Sequence, residues 1–305
     1  MTVQLRNGKG FEWAIAIELA AALVVTIADN SHARNALAQY ESLPLQKQRQ
    51  FDKAAQLAVE HILEKERPKF SGSRPTQVRI AGDSEGIAGD VRDVSLLSDY
   101  KILFGISCKS NHAAFKHSRL SATIDWVKAW GLDPRGASEH YWNVVRPVFE
   151  ELKHIQVTSE KQALWAKLSN KSFDYYEPVL ASFTNELALL NSGPLAPQVS
   201  SSLARYVIGH EDFYKVIVRP TEVKIMAFNF NGTLAVRRSK LPSSVLSIDR
   251  LEGGRHSINV RFDRGYTLNF RIHNASSRVE PSLKFDIQAK SLPSEEIYQH
   301  HISIL

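Results

Sequence analysis

The sequence predicts an α/β protein, in which a central mixed sheet is flanked by helices and followed by a β-rich part. Two helical patterns come first: a largely apolar helix over 11–28 and an amphipathic segment over 51–66, whose apolar residues recur at helical spacing. Strand patterns follow in short segments, bounded by turn residues, at 76–81, 91–97 and 101–108.

The C-terminal part has a different character from the N-terminal part. A segment rich in proline, glycine and serine over 191–202 predicts a linker, so we expect an α/β domain over 1–195 and a β-rich domain over 203–305. The dipeptide Asn231-Gly232 predicts a hairpin. Basic residues such as Lys215 are expected to face outward from the strands of this domain.

The composition narrows the class of protein. Of 305 residues, 43% are hydrophobic and 23% are charged, which is typical of a soluble globular protein. A single cysteine excludes a disulfide framework and a cysteine-based metal cluster, and it fits a reducing cytoplasm. The net charge of +6 favours a polyanionic partner. Because no Walker loop is present, we expect no nucleotide cofactor.

The apolar run over 14–28 requires a separate decision, because it resembles a membrane segment. It contains Glu18 and lacks the basic start and cleavage site of a signal peptide. It is also shorter than the roughly 20 residues that a membrane span needs. We therefore expect a helix that is buried against the sheet, and no membrane association.

Residues 82–121 carry the most chemical information. After a glycine-rich turn, the strands 91–97 and 101–108 are expected to pair through a turn at Ser98 and Asp99. This pairing brings an aspartate and Lys109 to one edge of the sheet. One or two carboxylates beside a lysine suit metal-dependent hydrolysis of a phosphodiester, with Mg²⁺ held by carboxylate oxygens and the lysine orienting or deprotonating the nucleophile. An exposed, salt-bridged turn is the alternative.

Two aspartates compete for the metal. Asp90 and Asp93 are three residues apart, so they face opposite ways in a regular strand, and only one can point at the metal unless Gly89 allows a bulge. We favour Asp93, which directly precedes an apolar run. For either residue the alternative is a polar group at the end of a strand. Further along, Ser107 shares a face with Lys109.

These residues resemble a known pattern. The order of an aspartate, a spacer and an acid-x-Lys at a strand end resembles the PD-(D/E)xK nuclease superfamily. Two longer blocks, GDVRDV…SCKSNHAAFKHSRLS and RIHNASSRVEPSLKFDI, resemble the HaeIII-type family of Type II restriction endonucleases. The resemblance implies a restriction-endonuclease-like core and a Mg²⁺-dependent enzyme that cuts double-stranded DNA at a short palindrome, GGCC in that family. A palindromic target implies a two-fold homodimer.

The sequence departs from the superfamily pattern at one position. Ser107 stands where the pattern has an acid, so a metal ligand is missing or comes from elsewhere. Asp125 is the nearest downstream acid. A straight helix after Lys109 would point it away from the metal site, so it could complete that site only if the helix breaks near Ser121. Glu12, in GKGFE, resembles the glutamate that such nucleases bring from their first helix. The alternative for Glu12 is a favourable position in the first turn of a helix.

The resemblance also implies residues that touch DNA. We expect a helix after Lys109 whose basic face contacts phosphate or base edges, with Arg119 suited to guanine; a solvated charged face is the alternative. The polar loop 273–278 offers further donors, although polar hairpin loops are common. The implied contacts are Asn111, His112, Lys116, His117, Arg119, Ser121, Asn274, Ser276, Ser277, Arg278 and Lys284.

Two other functions remain open at this stage. One is a repair or mobile-element nuclease with the same core and less sequence specificity. The other is a DNA-binding protein that has kept the fold and lost its activity, which the serine at position 107 would support.

Overall fold

The structure is a computed structural model that describes residues 3–82, 90–99, 101–111, 115–133, 135–159, 163–250 and 256–304, without the side chains at 116 and 117. Its α-helices are α1 Val3–Leu23, α2 Ser31–Glu41, α3 Leu45–Glu66, α4 Trp126–Ala129, α5 Glu139–Thr158, α6 Glu177–Ser192 and α7 Ala196–Ile208. Its strands are β1 Thr26–Ile27, β2 Gln77–Ile80, β3 Val94–Ser98, β4 Lys101–Ser110, β5 Lys116–Leu120, β6 Phe213–Val218, β7 Glu222–Phe228, β8 Val245–Arg250, β9 Ser257–Phe262, β10 Thr267–Asn274, β11 Leu283–Ser291 and β12 Tyr298–Ser303.

The chain forms two compact units that do not coincide with the expected division at 191–202. The first unit comprises residues 1–113, 209–240 and 294–305, and the second comprises 114–208 and 241–293. β6, β7 and β12 follow the expected linker in sequence but pair within the sheet of the first unit. The linker prediction itself is wrong, because α7 covers most of that segment and buries apolar residues at helical spacing.

The first unit contains a seven-stranded mixed sheet in the order β1-β2-β3-β4-β6-β7-β12. β4 runs antiparallel to β3 and parallel to β6. One face of the sheet packs on apolar residues of α1 and α3, such as Phe11, Ile15 and Phe51, which are fully buried. The expected large mixed sheet flanked by helices is therefore confirmed.

The first helix differs from its expected bounds. α1 begins at Val3 and ends at Leu23, so Gly8 and Gly10 lie inside it. Gly10 allows a close approach to the chain around α2: a Cβ there would stand 2.6 Å from Leu43 Cδ1. No helix of the described chain is long and apolar enough to cross a membrane.

The hairpin on which the chemical prediction depends is confirmed. β3 and β4 pair in an antiparallel ladder with Ser98 opposite Lys101 and Val94 opposite Ile106. Asp99 in the turn has a positive φ of 45°, a conformation that short polar residues tolerate. Most of the glycine-rich turn before it lies outside the described residues.

The second unit contains an antiparallel sheet in the order β5-β11-β10-β9-β8. Aromatic side chains fill its core; for example, the ring centroids of Phe183 and Phe285 are 4.7 Å apart. The helix expected after Lys109 is wrong, since 116–120 form β5. Burial there has the period of two that a strand requires: Ser118 and Leu120 are buried, and Arg119 between them is exposed.

The hairpin expected at Asn231-Gly232 is also wrong. β7 ends at Phe228 and pairs with β6 and β12, neither of which it reaches through that turn. The carboxylate of Asp212 instead holds the segment as a loop, accepting hydrogen bonds from the amides of Asn231 and Thr233 at 2.8 Å each.

Candidate active site

Asp93 and Lys109 meet where β3 begins and β4 ends. Asp93 Oδ2 accepts hydrogen bonds from Lys109 Nζ at 3.0 Å, from the Cys108 amide at 2.7 Å and from Ser107 Oγ at 3.2 Å. The two charged side chains are about a quarter exposed, at 25% and 26%. In the described part of the chain, every hydrogen bond to this carboxylate ends on Oδ2. Oδ1 is therefore the oxygen with capacity for a further ligand.

Lys109 is held in its charged form by this contact. Burial opposes the charge of the ammonium group, but attraction to Asp93 and the hydrogen bond outweigh burial and raise the pKa of Lys109 above its ordinary value. A lysine in this state donates hydrogen bonds and offers positive charge. It is poorly suited to accept a proton.

Glu12 lies on α1 next to this ion pair. It is buried, and its Oε2 is 3.1 Å from Lys9 Nζ. Burial and the negative charge of Asp93 together raise the pKa of Glu12 to about 8, although Lys9 and Lys109 act in the opposite direction. Because α1 begins at Val3, Glu12 is well inside the helix, and its interpretation as a first-turn residue is wrong.

Lys215 is the nearby residue whose position sequence reasoning missed. It stands beside Ser107 in the β4–β6 ladder, so both side chains project from the same face of the sheet. It is 1% exposed, not outward-facing as expected, and burial together with the charge of Lys109 lowers its pKa well below the ordinary value. The available signal was a single lysine within the apolar strand FYKVIV.

Asp90 has a different partner from Asp93. Both of its carboxylate oxygens accept hydrogen bonds from Arg92, from Nε at 2.8 Å and from Nη2 at 2.7 Å. The structure thus brings Asp93, Lys109, Ser107 and Glu12 together, and it places Asp90 in an arginine pair.

Asp125 belongs to the second unit and caps a helix there. Its Oδ1 accepts hydrogen bonds from the amides of Val127 and Lys128 at the start of α4. The amide of Ala137 donates to the same carboxylate, 3.1 Å from Oδ2. Its assignment as a metal ligand stays a prediction. Both of its carboxylate oxygens accept hydrogen bonds from backbone amides.

The residues expected to touch DNA on β5 and β11 form a short basic row. Arg119 lies opposite Lys284 in the β5–β11 ladder, and Lys284 lies opposite His273 on β10. Arg119 is also paired with Glu280, 3.2 Å away. Ser121 follows β5 and bonds to Thr123 through its hydroxyl group.

The polar loop after β10 is internally braced. Asn274 donates to the carbonyl group of Ser276 and accepts from the hydroxyl group of Tyr176. Ser276 Oγ donates to the carbonyl of Arg278 at 2.9 Å. Ser277 and Arg278 are exposed, so their side chains are available to a partner.

The other expected DNA contacts are described only in part. Asn111 is exposed directly after β4 with a positive φ of 56°, and its backbone N–H group donates to the Val218 carbonyl. His112 lies outside the described residues, as do the side chains of Lys116 and His117.

Comparisons with known proteins assign the chain to a class. The sequence matches the family of the HaeIII restriction endonuclease over residues 8–293, a range that contains every candidate residue above. The chain belongs to this restriction endonuclease family. It is also 31% identical to the Type II restriction enzyme HaeIII of Haemophilus aegyptius, over 94% of this chain and 94% of that enzyme. No solved structure matches it.

Membership of the HaeIII family confirms the resemblance seen in the two sequence blocks. The protein is accordingly a site-specific deoxyribonuclease of Type II, which cleaves DNA. Among the described residues, no group of three or more histidine, cysteine, aspartate or glutamate side chains forms a ready-made metal site.

Proposed function

We propose that the protein hydrolyses phosphodiester bonds of double-stranded DNA at the palindrome GGCC, as a homodimer that requires Mg²⁺. The observation that carries the catalytic part is the pair of Asp93 and Lys109, brought together at the ends of two antiparallel strands in a member of a restriction endonuclease family. The GGCC site is supported by similarity to HaeIII. The dimer is supported by the two-fold symmetry of such a target.

We also propose that the first unit is a PD-(D/E)xK core. In support, α1 carries a glutamate, β3 follows an aspartate, and β4 carries Ser-x-Lys near its end, where it pairs with the parallel strand β6. This is the order of elements that the superfamily pattern implies. The serine in place of an acid is then a variation within the pattern.

The residues at this centre fit a magnesium ion. Asp93 and Glu12 offer the oxygen ligands that Mg²⁺ prefers, and the repulsion that contributes to the raised pKa of Glu12 would be relieved by a divalent cation. Mg²⁺ held there supplies Lewis acidity toward the phosphate and the attacking water.

The protein groups then divide the remaining work. Lys109, charged at neutral pH, donates hydrogen bonds that orient the water or the phosphate oxygens. Ser107 and the Cys108 amide hold the Asp93 carboxylate in place from the β4 side. Ser107 thus acts as a hydrogen-bond donor to the acid that remains, and an inactive site is not required to explain it.

The first experiment is digestion of plasmid DNA by the purified protein with Mg²⁺ and with chelator, followed by sequencing of the product ends. We expect discrete fragments whose ends map to GGCC, formed only with metal. Discrete ends at another DNA sequence would contradict GGCC as the recognition sequence but would not contradict the proposed mechanism. Random nicking would favour the less specific nuclease, and tight DNA binding without cleavage would favour the inactive DNA-binding protein.

Lys109→Ala tests the catalytic assignment. We expect cleavage to fall by at least a thousandfold, because charge stabilisation worth several kcal/mol is removed from the transition state. DNA affinity, measured by fluorescence anisotropy with Ca²⁺ in place of Mg²⁺, should change less than about threefold. Lys101→Ala is the matched control, since Lys101 is an exposed lysine at the other end of β4. Equal effects of the two substitutions would refute the role of Lys109.

Glu12→Gln tests the metal assignment. Since the amide removes a negative ligand, we expect Mg²⁺ affinity measured by titration calorimetry to fall about tenfold or more. Glu18→Gln, on the same helix, is the control. Unchanged Mg²⁺ affinity in the Glu12 variant would remove this residue from the proposed metal site.

A further inference from the structure

Arg92 directly precedes Asp93, and its side chain is only 12% exposed. Besides its double contact with Asp90, its Nη1 lies 3.8 Å from Glu211 Oε2, just before β6 begins. The arginine therefore connects the residues just before β3 with the residues just before β6. Both strands neighbour β4, which carries Lys109.

The stem of Arg92 lies directly over Gly105 of β4. A Cβ built on Gly105 would stand 2.5 Å from Arg92 Cγ and closer still to Cδ, distances that side chains do not adopt. Residue 105 shares a sheet face with Ser107 and Lys109 because these positions are two and four residues further along the strand. Only glycine at 105 leaves room for the arginine on this face.

The residues on either side of Arg92 are also fixed. Val91 packs on Gly209, where a Cβ would stand 2.9 Å from Val91 Cγ2. The Asp93 amide donates to the Ile106 carbonyl at 2.9 Å, and the Asp93 carbonyl accepts from Ala81 at 2.9 Å. The backbone around Asp93 thus has few degrees of freedom, and Arg92 provides its side-chain anchor.

A second Asp-x-Arg pair in the chain shows that the ion pair alone does not require burial. Asp133 and Arg135 have the same spacing and a similar double contact, with Nη2 2.7 Å from Asp133 Oδ2. The Arg135 side chain is nevertheless 87% exposed. Pairing with Asp90 and Glu211 offsets the cost of burying the Arg92 guanidinium group, but an ion pair of this kind does not by itself explain why the side chain is buried.

We infer that Arg92 is a positioning residue for Asp93, and that Gly105 supplies the space that it occupies. In this arrangement Asp90 serves as the partner that orients Arg92, and Asp93 serves as the carboxylate of the active centre. The inference rests on the proposed function of Asp93.

The test uses Arg92→Ala, Gly105→Ala and the double variant, with Arg135→Ala as the matched control. We expect each of the first two to lower the cleavage rate at saturating DNA about tenfold and to weaken Mg²⁺ binding in calorimetry by a similar factor, because Asp93 is displaced. The double variant should lose less than the product of the two single losses, since Arg92 Cδ and Cγ, the two atoms nearest to the new methyl group, are absent and only Cβ at 2.8 Å remains. Arg135→Ala should leave both quantities unchanged.

Folding is controlled by measuring the unfolding midpoint of each variant and working below it. Arg92→Lys keeps the stem over Gly105 and one charge, so it should recover part of the Mg²⁺ affinity even if Arg92→Ala is too unstable to assay. The inference would be overturned if Arg92→Lys and Gly105→Ala both kept the Mg²⁺ affinity of the wild type. It would also be overturned if the loss of Mg²⁺ affinity in the double variant equalled the product of the two single losses. An active Asp93→Asn enzyme would instead overturn the proposed function itself.

Discussion

Asp93 and Asp125 look alike in sequence, since both are acids near a strand or helix start, but the structure uses them differently. Asp93 directs one oxygen to an ammonium group, a hydroxyl group and one amide, and it keeps a quarter of its side chain exposed. Asp125 accepts hydrogen bonds only from backbone amides among the described residues.

The loop around Asp125 packs closely on its carboxylate at Gly136. Gly136 has a positive φ of 90°, and a Cβ there would collide with Asp125 Oδ2 and stand 2.8 Å from its Cγ. An acid whose partners are backbone amides stabilises local structure, whereas an acid paired with a lysine near solvent is available for chemistry. The partners of an aspartate therefore distinguish the two roles better than its spacing in the sequence does.

Among the variants that test this comparison, Asp93→Asn has the largest expected effect. The amide keeps the shape of the side chain but removes the charge that pairs with Lys109 and would bind Mg²⁺, so cleavage should fall on the order of a thousandfold. The rate is measured on plasmid DNA under single-turnover conditions. A cleavage rate within tenfold of wild type would mean that Asp93 is no more a catalytic acid than Asp125 is.

Asp125→Ala should have the opposite pattern. Loss of the helix cap and of the bond to Ala137 should lower the free energy of unfolding by about 1–2 kcal/mol, as measured in urea. Cleavage per folded molecule should stay within about twofold of wild type. A cleavage loss as large as that of Asp93→Asn, without loss of stability, would make Asp125 a functional acid after all.

The smallest effect is expected from Ser107→Ala. Removing one of three donors to Asp93 should cost about 1 kcal/mol, which corresponds to roughly a fivefold slower cleavage rate. Ser107→Thr, which keeps the hydroxyl group, is the control and should lose less. Complete inactivation by the alanine substitution would assign Ser107 a direct role in catalysis.

Local patterns were enough to predict the hairpin and the family. The apolar runs of β3 and β4, with a polar turn between them, predicted the antiparallel pair that joins Asp93 to Lys109. The two sequence blocks predicted the HaeIII family, which the comparisons confirmed. Both signals lie within short stretches of chain, so no long-range information was needed.

Predictions that depended on distant neighbours failed. Residues 116–120 contain basic residues that suit a helix face, yet they form β5 because β11 supplies a ladder of backbone partners. Lys215 was expected to face outward, but β4 and β7 flank its strand and the side chain is buried. The backbone hydrogen bonds of a sheet link residues far apart in sequence, and local propensity does not contain them.

By itself the sequence determined the residue types of the centre, the hairpin that joins two of them and the class of enzyme. Tertiary structure decided the role of each acid. It placed Glu12 of α1 beside Asp93, paired Asp90 with Arg92, and used Asp125 as a helix cap. The physical reason is that the state of a carboxylate depends on burial and on its nearest charges. Those are set by elements that the chain brings together only when it folds.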